Sequence, residues 1–373
     1  QPAGAAVEIT VDPEAQMAAW NGLGGQKGAV VALDPKTGDV LAMVSSPGWN
    51  PNPIASHDRD AALNAYENLI ADEDNPAYNR AIGGNLYPPG STFKLVTAAA
   101  ALESGEYTPE SELPGPATLD LPETTATISN SGGGACGSGG TVTLAQSLID
   151  SCNTSFADLG MSLGQDAMSA QAQEFGFGES FDIPLTVSAS SFPSDTNAPQ
   201  LAQSALGQYE VRATPLQMAM VSSAIANGGT LMQPQLIDQV RNARTLDLID
   251  EPSPSQFSQP ISSDTAAALT EMMVGVVDHI AHTRDFGKIP QLYRVSPVAF
   301  AVTIIGTASM AGIPPLLGFA SKETVFMALG EAPGAAWTGW AALIAGAAAS
   351  VLTFAYCAKV VFGAFVDGDE PDR

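Results

Sequence analysis

Positive charge is what this 373-residue sequence has least of: 14 Lys and Arg stand against 39 Asp and Glu, a formal net charge of −25. A chain this acidic lacks the basic face that a phosphate backbone demands, which excludes nucleic acid as a partner. Histidine and cysteine are also scarce, three of each. His279 and His282, with Asp278 and Asp285, form the one grouping that hints at a metal. No cysteine or further histidine joins them, and they read better as a polar segment at a membrane surface. No site for a cofactor is visible: the Gly-rich stretch Gly132 to Gly140 lacks the preceding strand and the Gly-Lys-Ser/Thr ending of a phosphate cradle. A basic start and an apolar run are both missing from Gln1 to Trp20, so no signal peptide shows and the front reads as cut or processed.

The few cysteines are placed suggestively. Cys136 lies in the Gly-rich loop, and Cys152 follows the helix-like run Leu144 to Asp150. A disulfide between them would pin that loop near a helix end and imply an oxidising compartment. Two unpaired small residues is the alternative. Cys357 falls in an apolar run and reads as packing.

Charge is unevenly spread. Up to Val277 there are 8 Lys/Arg and 31 Asp/Glu, and from Asp278 onward 6 and 8. Ser296 to Ser321 and Ala332 to Ala358 carry no charged side chain, and each exceeds the roughly 20 residues that cross a bilayer. Trp337 and Trp340 near one end of the second run, with Tyr356 and Lys359 at the other, are placed as interfacial anchors. Membrane contact through residues 296–358 is therefore expected.

The front part alternates strand and helix signals. Gly28 to Asp34 and Asp39 to Ser45 read as a β-hairpin around the turn Asp34 to Gly38. Helices are expected over Ala61 to Ala71, Phe93 to Leu102, Leu144 to Ile149, Thr154 to Leu163, Asp166 to Phe175, Pro215 to Ala226 and Asp264 to Val277. Leu231 to Val240 reads as extended, Pro109 to Ser138 as irregular or short-stranded, Ser188 to Pro199 as a loop, and Glu251 to Pro260 as a polar linker.

The most informative segment is Tyr87-Pro88-Pro89-Gly90-Ser91-Thr92-Phe93-Lys94. A Pro/Gly loop turns into an apolar helix, with a serine and a lysine three residues apart on one face. The Lys94 amine can reach the Ser91 hydroxyl, and the helix N-terminus favours developing negative charge. That is a nucleophile with a built-in base. Ser151-Cys152-Asn153 adds a hydroxyl and an amide in a tight connection between two helices. Penicillin-binding enzymes and related β-lactamases combine such elements with a third, Lys-Thr-Gly.

Together with Gly28 to Asp34, Asn79-Arg80-Ala81, Thr214 to Ala219 and Ala226-Asn227-Gly228-Gly229, these motifs make residues from about Val7 to Val277 resemble the transpeptidase domain of a class B penicillin-binding protein of actinobacterial type. The resemblance implies the α/β (α+β) fold shared with serine β-lactamases. It implies a D,D-transpeptidase that cross-links peptidoglycan stem peptides and is acylated by β-lactams. Ser91 would be the acylated nucleophile and Lys94 its base. Ser151 would relay a proton, and Asn153 would bind the peptide amide or orient Lys94. The third motif is missing after the helix ending near Val277. The chain's one Lys-Thr-Gly, Lys36-Thr37-Gly38, occupies the hairpin turn. An incomplete sheet with an unpaired hairpin edge is therefore expected, together with impaired turnover, since one lost oxyanion donor costs ~10²–10³ in rate.

Beyond that helix the resemblance changes. Val274 to His279, Thr283-Arg284-Asp285 and Ser309 to Glu323 resemble a membrane component of multi-subunit, Mrp-type Na⁺/H⁺ antiporters and the antiporter-like components of respiratory complex I. Pro314-Pro315 would break a membrane helix, and Lys322 would be an ionisable residue on a proton path. The two resemblances suggest a chimera joined near Met272 to Asp278. It would consist of a truncated transpeptidase domain over 1–277 and an antiporter-like membrane fragment over 278–373. The competing functional reading is a fragment of a monovalent cation/proton antiporter, or a chain with no single function. The implied location is a bacterial cell membrane, with the transpeptidase part outside the cytoplasm.

Overall fold

The computed structural model describes residues 4–84 and 86–281. The chain divides into two compact units, Gln1–His279 and Ile280–Arg373, and the fold below is that of the first. The apolar runs at 296–321 and 332–358, Lys322, Cys357 and the antiporter-like motifs lie outside the described residues. No helix among the described residues is long and apolar enough to cross a membrane.

In chain order, the first half of the unit contains β1 (Ala5–Ile9), α1 (Pro13–Leu23), β2 (Gly28–Leu33), β3 (Val40–Ser46) and α2 (Arg59–Ala71). A 3₁₀ turn, Gly90–Phe93, then leads directly into α3 (Lys94–Glu103). Four short strands follow, β4 (Glu112–Pro114), β5 (Thr118–Asp120), β6 (Thr127–Ser129) and β7 (Thr141–Thr143). The second half contains α4 (Leu144–Ile149), α5 (Asn153–Glu174), β8 (Asp182–Ile183), β9 (Leu185–Thr186), α6 (Ala198–Ser204) and α7 (Pro215–Ala226). It closes with β10 (Leu231–Met232), β11 (Ile237–Asn242), β12 (Leu248–Asp250), β13 (Gln256–Ser258) and α8 (Ser263–Ala281).

Helices form the main core. The centre is α3, whose run Val96 to Ala101 is wholly buried. Four alanines in a row let neighbours approach closely. The side chains of α5, α6, α7 and the start of α8 close around it, including Phe156, Leu159, Leu201, Leu216, Met220 and Leu269. Thr97 Oγ1 donates to the Ala205 carbonyl at 2.8 Å, locking α3 to the end of α6. Where α5 crosses that same end, Gly160 leaves no room for a side chain: a Cβ there would lie 2.3 Å from the Ala205 Cβ. Helix α5 contains the expected break. Gly164 (φ 83°, ψ 164°) interrupts it, so the two helices foreseen on either side are two arms of one element.

The hairpin β2–β3 pairs antiparallel from Gly28↔Ser46 to Leu33↔Val40. One face packs on α1 through Ala19, Ala42 and Val44, with Val30 and Ala32 beside them. The other face, including Val31, Leu33 and Met43, joins the main core. Burial on both faces explains why neither strand alternates apolar and polar residues. The sheet has two strands, so β2 has an open edge among the described residues. Beside it runs a groove of about 380 Å³, lined by Val31, Leu33, Ala219 and Ala226 among others. Lys36-Thr37-Gly38 is a turn, as its position implied. Asp34 Oδ1 accepts from the backbone N–H of Lys36 and Thr37, at 2.8 and 3.3 Å. Gly38 (φ 84°) abuts the Gln233 carbonyl, where a Cβ would come within 2.2 Å.

Several elements differ from expectation. Helix α1 has no long apolar run, and it is set by its ends: Asp12 caps it by accepting from Glu14 and Ala15 N–H, Pro13 opens it, and Gly24 ends it in the left-handed conformation. Helix α6 lies at the end of the stretch read as a loop, with Asn197 and Gln200 forming a reciprocal capping box. The expected linker Glu251 to Pro260 contains β13, which pairs with β10. Helix α8 runs past Val277 to Ala281. Helix α7 matches its expected bounds: Thr214 Oγ1 accepts from Gln217 N–H at 3.0 Å, and Pro215 sits at the first position.

The crossing at Gly160 yields a paired test. Gly160→Ala should destabilise the unit by about 1–3 kcal/mol through overpacking, read by denaturant unfolding. Adding Ala205→Gly should recover part of that loss. A double variant no more stable than the single one would show that the Ala205 contact is not the cause.

Candidate active site

The Ser91 turn is held by backbone. Tyr87 exchanges two hydrogen bonds with Ala213, Tyr87 N–H to Ala213 O at 3.0 Å and the reverse at 2.8 Å. Gly90 N–H donates to Gly207 O at 2.9 Å. Gly207 (φ 70°) packs directly under the turn: a Cβ there would lie 2.3 Å from Gly90 O and 2.7 Å from the Phe93 Cβ. Thr92 Oγ1 donates to Pro89 O at 2.8 Å, and Gly90 itself takes φ 57°, a conformation open to glycine. Phe93 anchors the turn from below, fully buried between Phe177 (edge-on, 5.4 Å) and Phe192 (stacked, 5.7 Å). With Phe93 inward, Ser91 is exposed and Lys94 is drawn into the interior.

Lys94 is fully buried. Its ammonium donates to Ser151 O at 2.7 Å, Ser151 Oγ at 3.0 Å and Asn153 Oδ1 at 2.8 Å. These three bonds use its three donors. The Phe156 ring lies 5.6 Å away, within cation–π range. No carboxylate among the described residues shares the contact, so neutral dipoles compensate the charge. Burial accordingly brings the amine down from 10.5 to about 8.

Three of the four expected site residues therefore converge: Lys94, Ser151 and Asn153. Ser91 lies one turn before Lys94 and is not among the acceptors of the ammonium.

The second motif has an unusual backbone. Ser151 adopts φ 54°, a left-handed conformation that costs a non-glycine residue roughly 1–2 kcal/mol. It turns both the Ser151 carbonyl and its hydroxyl toward Lys94. Helix α5 then starts at Asn153, and its own N-cap residue, Cys152, provides no side-chain cap. The cap comes from elsewhere. Asn130 Oδ1 accepts from the backbone N–H of Asn153 at 2.9 Å and of Thr154 at 3.0 Å. The Asn153 side-chain Nδ2 donates to Ser129 O at 3.0 Å, which turns its Oδ1 toward Lys94. Cys136 and Cys152 form a disulfide, tying the Gly-rich loop to this junction.

Sequence reasoning passed over Ser129, Asn130 and Gly207. Each is a small residue in a loop or at a strand end, and only the chain's long-range pairing brings it to the site. Among the described residues no group of three or more His, Cys, Asp or Glu is arranged to hold a metal ion.

Comparison with known proteins gives a consistent result. The family model for the penicillin binding protein transpeptidase domain matches residues 28–293. That for the membrane part of NADH:quinone oxidoreductase and Mrp antiporters matches residues 265–353, most of them beyond the described region. The chain is 43% identical over 279 residues to peptidoglycan D,D-transpeptidase PbpA of Mycolicibacterium smegmatis, covering 73% of this chain and 56% of the relative. It is 40% identical over 306 residues to PbpA of Mycobacterium tuberculosis, covering 80% and 61%. The chain thus spans somewhat over half the length of these relatives. The solved structure of penicillin-binding protein A from M. tuberculosis superposes with a TM-score of 0.72 at 39% identity, covering 75% of this chain and 66% of that one. The same M. tuberculosis protein has been solved as a penicillin G acyl-enzyme complex, with a TM-score of 0.71 at 39% identity, covering 74% of this chain and 64% of that one.

The low value of the Lys94 amine links the site to stability. Below pH ~8 the folded and unfolded chains both carry the charge, and the full cost of burying it is present. Between about 8 and 10.5 the unfolded chain binds more protons, so stability rises with pH and then levels off. Unfolding of wild type and Lys94→Met across this range should show wild type gaining on the order of 3 kcal/mol relative to the variant. A constant difference would mean that Lys94 is not buried as a charge.

Proposed function

The chain belongs to the penicillin-binding protein transpeptidase domain family, and on that premise we propose that it is a peptidoglycan D,D-transpeptidase acting through an acyl-enzyme on Ser91. The observation that carries this reading is the buried Lys94 amine, one turn from an exposed serine and held by the second motif. An amine near 8 is partly neutral at physiological pH, as a general base must be. A neutral amine has two N–H groups and a lone pair, so it satisfies two of the three acceptors and releases the third. The lone pair is then free to take the Ser91 proton.

Ser91 Oγ attacks the carbonyl of the stem peptide's terminal amide. The C–N bond breaks as the acyl-serine forms, and the leaving amine takes a proton delivered through the Ser151 hydroxyl. An acceptor amine from a second stem peptide then attacks the ester, forms the cross-link and returns the proton to Ser91. Asn153 acts on Lys94 in this scheme: its Oδ1 faces the amine while its Nδ2 is occupied by Ser129 O. β-Lactams enter as acylating analogues of the same amide, in keeping with the acyl-enzyme complexes of the M. tuberculosis relative.

The sequence's one Lys-Thr-Gly sits in the β2–β3 turn, so the contact the family makes through that motif is not supplied by Lys36 to Gly38. Turnover is therefore expected to fall below that of a complete site by about the 10²–10³ of one lost oxyanion donor. The site faces the cell-wall side of the membrane in this reading, supported by the Cys136–Cys152 disulfide, which belongs to an oxidising compartment.

A fluorescent penicillin should label the chain covalently, with label lost in Ser91→Ala and acylation slowed about 10²–10⁴-fold in Lys94→Met. No labelling of wild type at any concentration would remove the activity while leaving the family assignment intact.

The overlap of two unrelated family matches over 265–293 favours a second reading beside the first. In it, the chain joins a transpeptidase part to an antiporter-like part near Met272 to Asp278, and Lys322 belongs to a former proton path. Independent sequencing reads across the codons for Leu269 to Arg284 test the join, and reads that part company there would show that the two pieces are not one gene.

A further inference from the structure

Asn130 is a buried side chain with every polar atom occupied. Its Oδ1 accepts from Asn153 N–H (2.9 Å) and Thr154 N–H (3.0 Å). Its Nδ2 donates to Pro116 O and Gly134 O, both at 2.9 Å. One amide thus joins three segments far apart in sequence: the approach to β5, the Gly-rich loop and the first turn of α5. A helix N-terminus normally takes its cap from the residue just before it. Here Cys152 is committed to the disulfide and leaves that duty to Asn130. The neighbouring Ser129 carbonyl sets which way the Asn153 amide faces.

We propose that Asn130 is a positioning residue for Lys94: by capping α5 from a distance it fixes Ser151 and Asn153 where the Lys94 amine needs them. This rests on the acyl-serine reading above. The chain of contact is short. Asn130 holds the N–H groups of Asn153 and Thr154, Asn153 and Ser151 hold the amine, and the amine serves Ser91. Among the described residues, the groups facing Lys94 are Ser151, Asn153 and Phe156, all uncharged. Their placement is therefore the main means by which this region can tune the base. A displacement near 1 Å in such an arrangement costs up to about 100-fold in rate.

The test compares three variants of the whole chain, each assayed well below its melting temperature. Asn130→Ala removes the cap. Asn130→Asp keeps the accepting oxygen and loses the two donors. Thr154→Val removes a hydroxyl that donates to Pro116 O (2.8 Å), leaving the two capped N–H groups in place. The expected result is that Asn130→Ala lowers the second-order rate of penicillin acylation about 10- to 100-fold, Asn130→Asp retains an intermediate rate, and Thr154→Val loses stability while acylating within about twofold of wild type. The Lys94 titration, followed by NMR of the lysine side chain, should shift its midpoint in Asn130→Ala and not in Thr154→Val. Asn130→Ala acylating at the wild-type rate with an unmoved Lys94 midpoint overturns the proposal, as does an equal rate loss in Thr154→Val. Should wild type itself take no penicillin, the transpeptidase reading falls, and the Lys94 midpoint alone then decides the positioning claim.

Discussion

A lone ammonium buried among neutral dipoles is the constraint that organises this site. An ion of that size loses several kcal/mol on leaving water, and no carboxylate among the described residues restores it. Ser151 and Asn153 must supply three well-placed oxygens, and they do so only because the backbone before α5 takes a left-handed step at Ser151. The strained residue, the remote cap at Asn130 and the disulfide beside it are three solutions to one problem: holding a short polar turn against a lysine that would otherwise draw water in.

The scaffold meets this demand largely by omitting side chains. The alanines of α3 bring α5 close, Gly160 lets α5 lie on the end of α6, and Gly207 lets the Ser91 turn rest on backbone. Large side chains enter where the turn must be pinned, as Phe93 does between Phe177 and Phe192. The result is a rigid floor under a serine that stays at the surface. The same economy leaves the hairpin thinly supported on one side, with β2 unpaired along its outer edge among the described residues and an apolar groove beside it.

Much of this was legible in the sequence, and the reasons differ by residue. The bounds of α7 follow from Thr214, Pro215 and the Asn227-Gly228-Gly229 stop, all local signals. The Ser91/Lys94 spacing announces a shared helix face, and Ser151-Cys152-Asn153 stands out by composition. What the spacing suggested, a direct bond from Lys94 to Ser91, is replaced by a full set of bonds to the second motif, because the interior offers better acceptors than the exposed hydroxyl. Asn130 was illegible: an asparagine before Ser131-Gly132-Gly133 reads as an ordinary turn residue, and its partners in α5 lie over twenty positions away. Helix α1 was missed because its apolar residues are few and its identity rests on its caps. Strand β13 was hidden by the prolines around it, and emerges only when β10 is present to pair with it.

The contact between Gly207 and the Ser91 turn bears on how this site can vary. A residue remote from the serine along the chain forms the surface on which the serine's loop sits, with backbone touching backbone and no side chain to trim or repack. Variation has little latitude at this point, since any replacement displaces the loop as a whole and does not merely reshape a wall of the cleft. A search for changes that disturb the serine, if confined to the hallmark motifs, would overlook it.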